Sequence, residues 1–272
     1  MGGMNLTKTL LLMSAVSIVF CTSCIENSYF HSPMQGNSQP YHAIPVASDS
    51  IKSASYVSGA LSIGGMNNRW RDAVFAAQAG FHRGHVIDNF RLNYGASLAL
   101  GSYDINSNSY YTYQNNGIPA YETGGTFFGA YGLYGGISAA SRMGRRGEWR
   151  YIGIDGSLFN EFGDYYTFRK TLPDSAATEI DKKKYLGSIG LNTELIFKGR
   201  SKFKFGIKIA AGSYLRRLHY YDQYPGAYHH SYDDLIYFSN TYHFTSKKNT
   251  IYFQYNLATH AAHFQVGYNF RL

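Results

Sequence analysis

The sequence predicts an all-β protein, a closed antiparallel up-and-down transmembrane β-barrel of about ten strands. Three observations support this fold class. Polar and apolar residues alternate with a period of two from Tyr56 onward, the alternating segments are long, and the connections between them are short on one side and long on the other. The composition agrees, because aromatic residues, which favour strands, reach 17% while charged residues make up only 15%.

Four segments alternate almost without exception, and six weaker ones fill the gaps between them. The clear segments are 90–100, 203–211, 251–257 and 264–272, and the weaker ones lie near 56–65, 71–83, 126–140, 149–162, 185–198 and 232–244. A period of two puts one set of side chains on each face of a strand. Most segments have roughly nine to fifteen residues, which is enough to cross a membrane when the strand is tilted.

The connections form a second pattern. If strands are counted from one rim, that rim carries only short turns, near 84–88, 141–147, 199–201 and 245–249. The other rim carries three long loops, near 102–125, 163–184 and 215–231, and two short ones, near 65–70 and 258–262. Membrane barrels segregate their loop lengths in this way. The turns are also basic, which indicates either solvated turn residues or, as the alternative, contact with lipid phosphates; the residues are Arg83, Arg142, Arg145, Arg146, Lys198, Arg200, Lys202, Lys247 and Lys248.

The first 23 residues have the parts of a signal peptide. Lys8 supplies the positive charge, residues 10–20 are apolar, and the small residues Thr22 and Ser23 precede Cys24. This end resembles a bacterial lipoprotein signal, although Cys21 stands where a branched aliphatic residue is usual. The resemblance implies that Cys24 carries a covalent lipid, the one cofactor expected. An ordinary cleaved signal peptide is the alternative.

The chain therefore divides into three parts. Residues 1–23 are the lipoprotein signal peptide, 24–55 are expected to be a polar, lipidated tether, and 56–272 form the barrel. Both cysteines, Cys21 and Cys24, lie in or beside the leader, so the barrel itself contains neither a disulfide nor a thiolate metal site.

The last segment resembles the terminal strand by which insertion machinery recognises outer-membrane barrels. Its apolar residues alternate back from the C-terminus, although Leu272 stands where Phe is commonest; they are Phe264, Val266, Tyr268, Phe270 and Leu272. With the lipoprotein signal, this chain is similar to Bacteroidota-type outer-membrane barrels. The resemblance implies periplasmic termini, extracellular long loops, and outer-membrane lipids, insertion machinery and other outer-membrane proteins as partners.

If the apolar set faces lipid, the polar set lines the lumen. Because buried charges must be paired, we expect Glu194 to pair with Lys204 and Lys208 across a short turn. The predicted lumen network contains Arg91, Asp155, Glu194, Lys204, Lys208 and Arg271. Such a network is either a structural polar core or the lining of a conduction pathway.

No local motif marks a catalytic or metal site. The chain lacks the Asp-x-Asp and Asp-x-His pairs of omptin proteases, and His82, His243 and Ser239 carry no hydrolase motif. The His- and Asp-rich loop 215–234 lacks the spacing of a closed metal site. The net charge of +8 does not indicate nucleic acid, because the signal peptide exports the chain. We expect a non-enzymatic surface-binding or accessory subunit; the alternatives are a small channel and a lipid hydrolase or protease.

Overall fold

The computed structural model describes residues 29–67, 70–106, 124–144, 147–173, 177, 179–199, 203–219 and 232–272, with the backbone alone at 217–219 and 232–234. Within these ranges no helix is long and apolar enough to cross a membrane.

Ten strands form one closed antiparallel barrel in which the first strand pairs with the last. The predicted fold class and strand number are therefore confirmed. The barrel strands are β2 (Ser53–Met66), β3 (Asp72–Ile87), β4 (Phe90–Ile105), β5 (Gly124–Met143), β6 (Gly147–Phe162), β8 (Tyr185–Lys198), β9 (Phe203–His219), β10 (Tyr232–Ser246), β11 (Asn249–Ala258) and β12 (Ala261–Arg271).

The outside of the barrel is apolar and the inside is polar. Leu133, Ile63 and Leu191 are 66%, 63% and 58% exposed on the outer wall, whereas Gln265 and Asn269, which point inward, are fully buried. A soluble barrel that binds a ligand has the opposite arrangement. In hydrocarbon a β-sheet satisfies all of its backbone polar groups only when it is closed. The closed sheet and the apolar outer wall together fit a barrel that spans a membrane.

Among the described residues, a two-stranded sheet and one helix lie outside the barrel sheet. Strand β1 (Tyr29–Phe30) pairs in parallel with β7 (Glu179–Ile180), and helix α1 (Asp164–Thr171) lies between β6 and β7. Both β7 and α1 belong to the predicted loop 163–184. We call the rim that carries this loop the loop end, and the rim with the turns at 88–89, 144–146, 199–202 and 247–248 the turn end.

The main correction concerns residues 24–55, which the sequence predicted to be a free tether. The structure describes this segment from Tyr29 onward, and the stretch from Tyr29 to Asp49 is not a free linker but runs through the lumen from the loop end to the turn end. Phe30, Met34 and Gln35 are fully buried, and Ala47 near the turn end is 6% exposed. We call residues 29–49 the plug. At Ser53 the chain turns back and starts the wall.

The sequence predicted periplasmic termini, and the structure locates the two ends of the described chain, while the residues before Tyr29 lie outside the described ranges. Tyr29 donates its backbone N–H to Asn67 Oδ1 at 2.8 Å, in the connection between β2 and β3 at the loop end. Leu272 donates its backbone N–H to the carbonyl oxygen of Ser55 at 3.0 Å, at the turn end. The first and last described residues therefore lie at opposite ends of the barrel.

One β-bulge changes the facing of a strand. Glu148 and Arg150 point into the lumen, Tyr151 and Ile152 both point outward, and Asp155 points inward again. The register of β6 shifts at this point against both of its neighbours. Because the extra residue reverses the period of two, the inward positions of β6 are even-numbered before the bulge and odd-numbered after it.

The facing of β9 is testable with two adjacent residues. Ile207 lies on the outer wall, so Ile207→Lys near the membrane midplane should destabilise the barrel by about 2–4 kcal/mol. Lys208 points inward, with Nζ 2.5 Å from Asp155 Oδ2; Lys208→Gln should cost less, since the amide still donates a hydrogen bond. Urea unfolding in lipid vesicles measures both changes. Equal tolerance of the two substitutions would contradict the assignment of the outer wall.

Candidate functional site in the barrel lumen

The middle of the plug is held by side chains of the wall that bond to its backbone. Gln78 donates to the carbonyl oxygen of Asn37 at 2.9 Å, and Gln254 donates to that of Gln39 at 2.7 Å. His82 Nε2 lies 2.9 Å from the carbonyl oxygen of Ala43. These three wall residues come from β3 and β11, so different strands of the barrel hold successive peptide groups of the plug.

Polar side chains of the plug also bond to the wall. Gln39 donates to Ser188 Oγ at 2.9 Å, and Asn37 Nδ2 lies 3.1 Å from His263 Nδ1. The His42 ring stacks on Tyr134 with its centroid 3.7 Å away. The wall therefore surrounds the plug on all sides. Because no face of the plug meets a different environment, its sequence shows no alternation of polar and apolar residues.

Near the turn end the lumen holds a buried chain of charges centred on Arg150. Its guanidinium donates to Glu194 Oε2 at 2.6 Å and to Glu148 Oε1 at 3.0 Å. Arg91 donates to both oxygens of Glu148 at 3.0 Å each. His243 Nε2 lies 2.8 Å from Glu194 Oε1. All of these side chains are at most 5% exposed, so each carboxylate must be neutralised by its neighbours.

The plug takes part in this charge network. Tyr41 donates its hydroxyl to Glu194 Oε1 at 2.9 Å, and the backbone N–H of Ala47 donates to Glu148 Oε2 at 2.5 Å. Arg150 in turn donates to the carbonyl oxygens of Ile44 and Pro45 at 3.3 and 3.4 Å. The same guanidinium therefore binds the wall and the plug together.

The predicted lumen residues do line the lumen, but their partners differ from those predicted. Glu194 pairs with Arg150 and His243, not with Lys204 or Lys208. Lys204 pairs with Asp49 of the plug at 2.6 Å, Lys208 with Asp155 at 2.5 Å, and Arg271 lines a recess beside Asp49. Glu194 lies directly opposite both Arg150 on β6 and Lys208 on β9, but its carboxylate bonds to the guanidinium, while Lys208 reaches Asp155.

Sequence reasoning missed both Arg150 and Glu148, because extrapolating the period of two backward from Asp155 places them on the lipid face. The useful signal was energetic: Glu148 and Arg150 sit among exposed apolar residues such as Trp149 and Ile152. A membrane strand does not place two charges toward hydrocarbon, so a bulge was the alternative to expect.

The loop end is closed by a cap, which we define as the described residues between 163 and 184. Asp181 donates its backbone N–H to the carbonyl oxygen of Phe30 at 2.9 Å, and His31 Nε2 lies 3.0 Å from Glu179 Oε2. Phe30 packs edge-on against Phe168 of α1 with ring centroids 5.5 Å apart. The start of the plug and the cap therefore share one hydrophobic core.

A set of buried ion pairs fixes the cap to the wall. Arg169 of α1 pairs with Glu161 on β6 and donates to the carbonyl oxygen of Asp181 at 3.0 Å. Arg216 on β9 pairs with the Asp181 carboxylate. Asp181 therefore connects the helix, the plug and a barrel strand at one point.

Little space remains between the plug and the wall at the turn end. The recess lined by Tyr41, Asp49, Lys204, His243 and Arg271 has a volume of about 20 Å³. A cavity of this size holds about one water molecule. Among the described residues, the plug and the wall therefore leave little free space at this end of the lumen.

The possible catalytic side chains are not brought together. His82 bonds to the plug and stacks on Tyr56 at 4.7 Å, and His243 pairs with Glu194. Ser239 lies four residues from His243 on one strand, roughly 13 Å by the rise of a strand. Within the described ranges no three His, Cys, Asp or Glu residues gather as metal ligands.

Three further predictions concern the ends of the chain and the turns. The C-terminal residues Phe264, Val266, Tyr268, Phe270 and Leu272 lie on the outer wall. Of the basic turn residues, the structure describes Arg83, Arg142, Lys198, Lys247 and Lys248. Cys24, Arg145, Arg146, Arg200 and Lys202 lie outside the described residues, as do the loop residues 220–231.

No protein-family model matches the chain, and no curated protein matches it. Solved structures do. The β domain of the Bordetella autotransporter BrkA is 11% identical over 82% of this chain and all of its own, with a TM-score of 0.44. An outer-membrane channel from Pseudomonas putida is 8% identical over 85% of this chain and all of its own, with a TM-score of 0.42.

A third solved structure is the toluene transporter TodX of P. putida, which is 7% identical over 81% of this chain and 88% of its own, with a TM-score of 0.32. Likeness at this level transfers no function to the chain. The assignment rests on the barrel itself. A single-chain, even-numbered antiparallel barrel with an apolar exterior is the fold of outer-membrane proteins.

Removing the central cation tests the charge network. Arg150→Met leaves Glu148 and Glu194 buried with fewer partners and should destabilise the barrel by about 3–5 kcal/mol. The matched substitution Arg83→Met removes an exposed arginine and should change the stability by less than about 0.5 kcal/mol. Unfolding of both variants in detergent micelles compares them. A small effect of Arg150→Met would show that the network does not stabilise the closed lumen.

Proposed function

We propose that the chain is an outer-membrane lipoprotein, acylated at Cys24, whose barrel is closed by its own plug and which acts through its loop end as a binding or accessory subunit. The observation that carries this proposal is the filled lumen. Wall side chains bind the plug along its length, and the cap covers its start. A barrel closed in this way offers partners its loop-end surface rather than a pathway.

The loop lengths support an orientation with the loop end outside the cell, since outer-membrane barrels have short periplasmic turns and longer external loops. The basic turns then face the periplasmic leaflet, where Arg83, Lys247 and Lys248 meet lipid phosphates. The outward-facing apolar residues of β12, ending at Leu272, serve the insertion machinery. The leader and this terminal strand together favour a Bacteroidota-type outer membrane.

The acylation is tested by labelling. Cys24→Ala should abolish incorporation of labelled palmitate in the native host, because the thiol is the acceptor. The barrel should still insert, since its outer wall supplies most of the apolar burial. Palmitate retained on the Cys24→Ala variant, or absent from the unaltered chain, would overturn the lipoprotein proposal and leave the barrel assignment intact.

The binding role is tested at the external loop between β9 and β10. This loop, at residues 221–230, is rich in Tyr and His, as recognition surfaces are. Replacing those residues with a Gly/Ser linker of equal length should abolish co-purification of the partner from native membranes and leave the yield of folded barrel unchanged. A partner that still co-purifies with the variant would locate the binding surface elsewhere.

A channel is the second candidate, because the wall behind the plug is polar and would hydrate if the plug left the lumen. The contacts that hold the plug are hydrogen bonds and ion pairs, among them the Asp49–Lys204 pair at 2.6 Å. A signal that weakens these contacts would therefore open a water-filled path.

Conductance in planar bilayers separates the two candidates. The unaltered chain should not conduct. Tyr41→Ala removes a buried ring and its bond to Glu194, so it should produce transient openings, whereas Tyr131→Ala, at a ring 52% exposed on the outer wall, should not. Steady conductance of the unaltered chain would favour the channel and contradict the closed barrel.

A further inference from the structure

The direction of the plug places the N-terminal part of the chain at the loop end. Tyr29 stacks on His260 with ring centroids 3.5 Å apart. His260 lies in the tight connection between β11 and β12, on the loop-end rim. The chain before Tyr29 therefore starts from this rim, at the end of the barrel opposite the turn end.

Chain length then limits where Cys24 can lie. Four residues lie between Cys24 and Tyr29, and an extended chain advances at most about 3.6 Å per residue, or roughly 18 Å over the five steps from one to the other. The hydrocarbon core of a bilayer is about 30 Å thick. Acyl chains attached to Cys24 therefore reach the leaflet at the loop end but not the leaflet at the turn end.

The rim has a low point next to Tyr29. Thr259 donates its backbone N–H to the carbonyl oxygen of Ile236 at 3.0 Å, so the tip of the β11–β12 connection lies level with Ile236. Strand β10 begins at Tyr232, four residues beyond that level. A chain that leaves the lumen over this tip meets the outer wall directly below.

An apolar recess lies on the outer wall at that position. It has a volume of about 480 Å³ and is lined by Ala211, Ile236, Phe238, Leu257 and Thr259, among others. Ile236 and Phe238 are 61% and 40% exposed, and the small side chain of Ala211 leaves the space between them. Thr259 belongs both to the recess and to the tip beside Tyr29. Because this wall faces hydrocarbon, an acyl chain is the ligand that fits the recess.

We propose that acylated Cys24 lies in the leaflet at the loop end, with an acyl chain seated in this recess. The inference rests on the lipidation in the proposed function but is independent of which end faces outward. With the loop end outside, the lipid anchor is in the outer leaflet. The plug then connects a surface anchor, through the lumen, to a barrel whose first strand starts at the turn end.

Cysteine accessibility tests the position of the anchor. The three variants are Asn27→Cys just before the plug, Gln223→Cys in the loop between β9 and β10, and Ser201→Cys in the turn between β8 and β9. Each is treated with a membrane-impermeant maleimide on intact and on permeabilised cells of the native host. Acylation blocks Cys24, and the barrel contains no other thiol.

Asn27→Cys should follow the loop variant under both conditions. If Asn27→Cys is labelled under the same conditions as Ser201→Cys and not under those of Gln223→Cys, the inference is overturned while the lipoprotein proposal stands. If Ser201→Cys labels on intact cells and Gln223→Cys does not, the proposed orientation fails, and the inference still requires Asn27→Cys to follow Gln223→Cys.

A photoactivatable palmitate analogue tests the recess independently. Incorporated at Cys24, it should crosslink to the peptides that contain Ile236–Phe238 and Leu257–Thr259. Ala211→Trp fills the recess and should reduce this crosslinking several-fold, whereas Ala139→Trp, on the outer wall near the turn end, should not change it. Crosslinks confined to turn-end residues such as Phe203 or Phe270 would overturn the proposal. If the analogue is not incorporated, it is the lipidation that fails.

Discussion

Beyond its first residues, which pair with β7, and its own turns, the plug has no neighbouring strand to satisfy its peptide groups, and much of this structure follows from that constraint. A buried N–H or C=O group without a partner costs as much as a lost hydrogen bond. Gln78, Gln254 and His82 therefore take the place of a strand and bond to the plug from inside the wall. The lumen is polar because it must supply these donors, and the outer wall is apolar because hydrocarbon surrounds it.

The charges near the turn end serve the same purpose. Arg150 binds Glu148 and Glu194 and also two carbonyl oxygens of the plug. A network of paired charges in a low dielectric is favourable only when each member is satisfied, and here the plug completes it through Tyr41 and Ala47. The plug is therefore part of the electrostatic balance of the barrel and not merely material that fills it.

The strand number and the facing of β9 and β12 could be predicted, because alternation is a direct geometric consequence of a strand with two different environments. The alternation alone could not predict the inward facing of Arg150 and Glu148, since the bulge at Tyr151 and Ile152 reverses it. The plug was not predicted, because a segment that is enclosed on all sides shows no alternation of polar and apolar residues. One sign was present: residues 29–47 contain no Asp, Glu, Lys or Arg, which suits a buried strap better than a solvated tether.

The plug and the closure of the barrel depend on each other. Its partners lie far away in the sequence: Gln39 meets Gln254 at a separation of 215 residues, and Tyr41 meets Asn269 at a separation of 228. Contacts of this range form only once the last strands are in place, when β12 pairs with β2. Closing so long a loop costs entropy, and the plug offsets part of that cost by bonding to strands on opposite sides of the lumen. The segment that fills the barrel is therefore also one of the contacts that keep it closed.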